Sequence, residues 1–158
     1  MSRILYFDIN GTIVLGDSNT PKPKLAHGGL EAALKSAGVD QVVCVSSIAV
    51  FILQAVELGR ERDPIGALFK ACSGTFLDVD WFREHVIIPE KPSPRVACID
   101  ETQDWWYMDD AAEYYCGQAK RYDLYNAWEG SRILVPSPLS DGSEALKWIQ
   151  NIAPAAKD

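Results

Sequence analysis

Short apolar runs alternating with segments of helical period predict an α/β protein, specifically a three-layer α/β/α Rossmann-like fold with a mainly parallel sheet. Three observations carry this reading. Ile4–Phe7, Val42–Val45 and Trp105–Met108 are continuously apolar, the pattern of strands covered on both faces. The stretches between them place leucine and alanine at helical spacing and close on glycine. No repeat and no linker divides the chain, so its 158 residues are expected to form one domain, 1–158.

Arg3 to Phe7 is the first expected strand, opening into the polar turn Asp8-Ile9-Asn10-Gly11-Thr12. Asp17 to His27, with Pro21 and Pro23, reads as loop. Gly28 to Ala37 is a helix closed by Gly38. Val42 to Val45 is the second strand and stops at Ser46-Ser47. Ser47 caps a helix over Ile48 to Leu58, and Asp63-Pro64 opens another through Cys72. Val86 to Ile88 is the third strand. Ser93-Pro94 suits a cap followed by proline at the first helical position, which favours a helix over Arg95 to Gln103; a strand at Val96 to Ile99 is the rival reading. Trp105 to Met108 is the fourth strand, followed by a helix from Ala111 to Arg121. Ile133 to Val135 is the fifth, and Ser143 to Ile152 the last helix.

Composition excludes several classes of function. Lys and Arg number 15 against 22 Asp and Glu, a formal net charge of −7, which disfavours a binder of nucleic-acid phosphates. Ile48 to Val56, the longest apolar run, is interrupted by Gln54 and falls well short of the roughly 20 residues that span a bilayer. The N-terminus lacks the pattern of a signal peptide, and the four cysteines are irregularly spaced without a CxxC, so a cytoplasmic protein with reduced thiols is expected. His27 and His85 stand alone in the sequence. Trp105-Trp106-Tyr107 suits a buried central strand. Tyr114-Tyr115, which cannot both face inward from one helix, suggests an exposed aromatic patch for which a homodimer contact is one use.

In parallel α/β sheets, sites form at the carboxyl ends of strands, where this sequence puts Asp8, Ser46 and Asp109. Asp8 and Asp109, with Asp110 and Glu113 close behind, offer the hard oxygens that Mg²⁺ prefers. Ser46, the Gly11-Thr12 turn and a lysine suit a phosphate group. Any one such aspartate is commonly only a cap or turn former; the ordered set is harder to dismiss.

These residues resemble the signatures of the haloacid dehalogenase (HAD) superfamily. Asp8-Ile9-Asn10-Gly11-Thr12 looks like its first motif, Val42 to Ser46 its second, Lys91-Pro92-Ser93-Pro94 its lysine motif, and Trp105 to Asp110 its fourth. The resemblance implies a Mg²⁺-dependent phosphohydrolase. Asp8 would be the nucleophile and a metal ligand, and Ser46 and Lys91 would hold the phosphoryl group and offset its charge, with Lys70 a rival cation. Gly11, Thr12, Ser46 and Ser47 would form the phosphate-binding set. Asp109 and Asp110 would bind metal, joined by the backbone carbonyl of Asn10.

Asn10 departs from the pattern, because it stands where phosphatases of the family carry a second acid. An amide cannot protonate a leaving group or activate water, and such help is typically worth about 10²–10⁴-fold. Slow turnover of a phosphorylated substrate is therefore expected. The alternative is an impaired HAD-like module that acts by binding a ligand or protein. Spacing further implies a capless or minimally capped member, with at most a small helical insert within 60–85 and an open site suited to bulky substrates or to cover by a partner.

Overall fold

A computed structural model of the chain describes residues 1–9, 11–12, 14–15, 22–23, 30–50, 54, 84–91, 93–137 and 143–152. Among the described residues the strands are β1 (Arg3–Phe7), β2 (Val14–Leu15), β3 (Lys22–Pro23), β4 (Gln41–Cys44), β5 (Val86–Ile87), β6 (Asp104–Met108) and β7 (Ile133–Leu134). The helices bounded within them are α1 (Leu30–Ser36), α2 (Ala112–Gln118), α3 (Tyr122–Trp128) and α4 (Ser143–Gln150), with a 3₁₀ turn at Arg95–Cys98. Residues 48–50 and 54 are also helical, as expected. The expected helix at 63–72 lies outside the described residues, as does the insert expected within 60–85 except for residues 84–85, which are helical.

The main sheet runs β5-β4-β1-β6-β7 and every pairing in it is parallel. The chain builds outward from β1 through β4 to β5, then returns to the other side of β1 for β6 and β7. Strand order therefore reverses between β1 and β6, the position at which an open α/β sheet leaves a crevice beyond its carboxyl edge. Phe7 pairs in register with both Cys44 and Met108.

Alternation along the strands sorts the core into two halves. Leu5, Phe7, Val42, Cys44, Trp106 and Met108 pack on one face against α1 and α4 through Ala33, Leu34, Ala145 and Ile149. Ile4, Tyr6, Val43, Trp105, Tyr107 and Ile133 pack on the other against the 3₁₀ turn, α2 and α3 through Val96, Cys116 and Leu124. Helical layers on both faces make the three-layer α/β/α architecture. The consecutive Trp105-Trp106-Tyr107 is core on both sides, with all three side chains buried.

Three local expectations are corrected. Lys22–Pro23, read as loop, pairs antiparallel with Val14–Leu15; a two-stranded ladder is all edge, where proline is tolerated. The helix expected over Arg95 to Gln103 ends at Cys98, with Ile99 extended at φ −73°, ψ 119°. Asp100 then accepts hydrogen bonds from the backbone N–H and the hydroxyl of Thr102, an Asx turn that diverts the chain into β6. The helix expected from Ala111 to Arg121 ends at Gln118, and α3, which was not expected, follows from Tyr122. Arg121 N–H donates to the Cys116 carbonyl at 2.7 Å and Lys120 N–H to that of Gly117 at 3.0 Å, a Schellman ending with Lys120 in the left-handed position at φ 58°.

Candidate active site at the β1–β6 seam

Strand register brings the site together. Asp8 and Asp109 each follow the last residue of adjacent parallel strands, and the Asp8 N–H donates to the Met108 carbonyl at 3.0 Å. Both side chains are buried, as is Ser46, which lies two residues beyond the end of neighbouring β4. Asp110 is exposed at the mouth. One carboxylate oxygen from each of Asp8, Asp109 and Asp110 lies within 4.8 Å of the others.

The turn after β1 locks these acids in place. Gly11 has φ +79° and faces the Asp110 carboxyl so closely that a Cβ there would sit 2.6 Å from Asp110 Cγ. Only glycine satisfies both the left-handed backbone and the close approach. Thr12 is fully buried and ties the two loops together. Its hydroxyl donates to Asp8 Oδ2 at 3.2 Å and to Asp110 Oδ1 at 3.4 Å, alternatives for one proton, and accepts from the Asp110 N–H at 3.0 Å.

A guanidinium sits among the carboxylates. Arg95 Nη1 is 2.7 Å from Asp8 Oδ1 and 2.9 Å from Asp109 Oδ2, bridging the two strand ends. The plane of Arg95 lies over Tyr115, 3.8 Å from its ring centre, so α2 clamps the arginine from behind. Tyr107 donates to Asp109 Oδ2 at 2.6 Å, while Asp109 Oδ1 accepts the Ala111 N–H at 2.9 Å. Asp109 thus holds the turn with one oxygen and meets Arg95 and Tyr107 with the other. A cavity of about 110 Å³ beside Arg95 is lined also by Ser47, Ser93, Tyr115 and Gln118.

Electrostatics follow from burial. Burial, followed by the Asp109 charge, pushes the Asp8 carboxyl up to about 8 despite Arg95. Burial also raises Asp109, against the opposing pull of Tyr107, the Ala111 N–H and Arg95. Burial alone would weaken the proton on Arg95, but Asp8 and Asp109 outweigh it and hold the guanidinium charged. Two buried acids facing one cation leave a residual negative charge, which the pocket relieves by keeping a proton or admitting a further cation.

Of the sequence-derived candidates, Asp8, Gly11, Thr12, Ser46, Asp109 and Asp110 gather at this edge, and Ser47 lines the adjoining cavity. Lys91 is exposed; its backbone carbonyl accepts a hydrogen bond from Cys98 Sγ, and its amine makes no ion pair among the described residues. Asn10 and Lys70 lie outside the described residues. Glu113 is exposed in the first turn of α2. Arg95, Tyr107 and Tyr115 were missed. Tyr107 was legible, since a residue two before Asp109 on a strand shares its face; Arg95 had only its place after Pro94 to suggest it.

The three carboxylates have the oxygen chemistry that a hard divalent cation requires. The fit holds with one condition: Arg95 Nη1 already bridges two of the three acids, so an ion sharing Asp8 Oδ1 and Asp109 Oδ2 must displace it. Compared with known proteins, the chain matches no family model, no curated protein and no solved structure. Among the described residues, no helix is long and apolar enough to cross a membrane.

Proposed function

We propose that this is a HAD-like phosphohydrolase site, in which ionised Asp8 attacks the phosphorus of a phosphate monoester, the P–O bond to the departing alcohol breaks, and water hydrolyses the resulting aspartyl-phosphate to release phosphate and regenerate Asp8. The observation that carries the reading is that Asp8 and Asp109, 101 positions apart in sequence, share one cationic partner at the reversal point of a parallel sheet. A carboxylate nucleophile splits the transfer into two easier steps, and buried cationic groups stabilise the charge that develops. Arg95 replaces Lys91 in this scheme as the cation on the nucleophile. Ser46 and the Ser47 edge of the neighbouring cavity are suited to the phosphoryl oxygens. Asp8, Asp109 and Asp110 would hold Mg²⁺, which when bound would offset negative charge on the transferring group.

Asn10 leaves the leaving group and the attacking water without an acid or base, so turnover is slow. A second reading rests on Arg95: its guanidinium already supplies a cation to Asp8 and Asp109, which suits a HAD-like module that binds a ligand or protein without turning over. Hydrolysis of an aryl phosphate separates the two. Asn10→Asp should raise the rate at least about tenfold and Asp8→Asn should abolish it. No gain in Asn10→Asp, with no heat of Mg²⁺ binding by calorimetry, selects the binding module.

A further inference from the structure

At the opposite end of the sheet, where β1 and β6 begin, a groove of about 560 Å³ opens between α4 and the turn that joins α3 to β7. Its volume lies within the range of small-molecule sites. Three of the chain's five tryptophans line it, Trp106 on β6, Trp128 ending α3 and Trp148 on α4, together with Arg3 and Arg132. We propose that this groove binds a planar aromatic anion, with the ring system against tryptophan and the anionic group on Arg132.

The lining is held ready. Arg132 Nη1 is fixed by the Trp105 carbonyl at 2.6 Å and Asp104 Oδ1 at 2.8 Å. Its Nε and Nη2 make no hydrogen bond among the described residues, so one edge of the fork is left for a ligand. The guanidinium lies 5.3 Å from the Trp106 ring centre and 5.4 Å from that of Trp128, which orients both rings around one cation. Trp148 Nε1 donates to the Ser131 carbonyl at 3.3 Å, which fixes the third ring. Trp128 is 39% exposed and therefore open to stacking. Gly130, at φ +83°, has no atom of the described residues within 4 Å of where a Cβ would be, so its backbone does not crowd the groove.

Charge selects the sign of the ligand. Asp104 pairs with Arg3 as well as with Arg132. Among the described residues, the one carboxylate that meets Arg132 is thus divided between two guanidinium groups, which leaves Arg132 able to answer a further anion. An aromatic ring without an anion would leave the open edge of Arg132 unanswered, and an anion without a ring would leave the tryptophan faces wet.

The test uses 1-naphthoate as probe, followed by calorimetry and tryptophan fluorescence on the full chain. Saturable sub-millimolar binding is expected, with 1-naphthalenemethanol and cyclohexanecarboxylate each weaker by about tenfold or more, the loss typical of one stacking or charge-assisted contact. Arg132→Gln should weaken naphthoate by a similar factor. Because Arg132 also braces β6, Asn151→Trp on the exposed groove wall provides a second variant that blocks the space while leaving that brace intact. Asp8→Asn, at the other end of the sheet, should bind naphthoate like the wild type whether or not the phosphohydrolase reading holds. Absence of saturable binding, equal binding of cyclohexanecarboxylate, or undiminished binding by folded Asn151→Trp would overturn the proposal.

Discussion

Arg95 and Tyr115 are stacked at 3.8 Å, and this contact connects α2 to the acids at the strand ends. The ring lies against one face of the guanidinium while Nη1 reaches the Asp8 and Asp109 carboxylates. Tyr115→Leu removes a desolvated cation–π contact and should lower stability by about 1 kcal/mol, whereas Tyr115→Phe keeps the ring face and should change it little. Chemical denaturation of the two variants checks the difference.

Removing the cation itself has a larger effect. Arg95→Gln leaves two buried carboxyls without their shared partner, a change that costs about 3–5 kcal/mol where the charges cannot adjust. It also clears the space between Asp8 and Asp109. Mg²⁺ should therefore raise the melting temperature of Arg95→Gln more than that of the wild type. Equal shifts in calorimetric scans with and without Mg²⁺ would mean that arginine and metal do not compete.

The raised Asp8 carboxyl predicts a pH dependence of definite sign. Its folded value near 8 exceeds the unfolded value of 3.8, so the folded state binds more protons between them. Stability contributed by this group is complete below about pH 4 and is lost as pH rises towards 8. In the presence of chelator, wild-type stability should fall across that window. Asp8→Asn, which resembles the neutral acid at all pH values, should flatten the fall.

Most of the fold could be read from sequence because buried parallel strands are nearly pure apolar runs, and Phe7, Val45 and Met108 are followed by polar residues where those runs end. Asp8 and Asp109 were legible for the same reason. Arg95 was not, because its partners lie 87 and 14 residues away and the sequence pattern favoured a long helix where a 3₁₀ turn forms. A 3₁₀ turn advances about 2.0 Å per residue with three residues per turn, which changes where each side chain points. The break after α2 was hidden because lysine, not glycine, takes the left-handed position.

That lysine is itself a target. Left-handed backbone costs an L-residue about 1–2 kcal/mol, partly offset in a glycine variant by greater freedom of the unfolded chain. Lys120→Gly should accordingly stabilise the protein by about 0.5–1 kcal/mol in denaturant titrations.

The turn at Gly11 allows the opposite experiment. Gly11→Ala forces a Cβ against Asp110 and a left-handed alanine at once. A loss of more than about 2 kcal/mol is expected. Asp110 should move away from Asp8, which nuclear magnetic resonance of the Thr12 and Asp110 amides would detect.

The reversal of strand order between β1 and β6 has a consequence for biogenesis. The two acids belong to segments that a ribosome releases a hundred residues apart, and only a non-local parallel pairing joins them. Such pairing closes a long loop and is slow relative to local helix formation. A nascent chain that has folded as far as β5 carries Asp8 on an open edge with neither Arg95 nor Asp109 beside it. The paired surroundings of this carboxylate are consequently a late property of the molecule, acquired only when its second half docks.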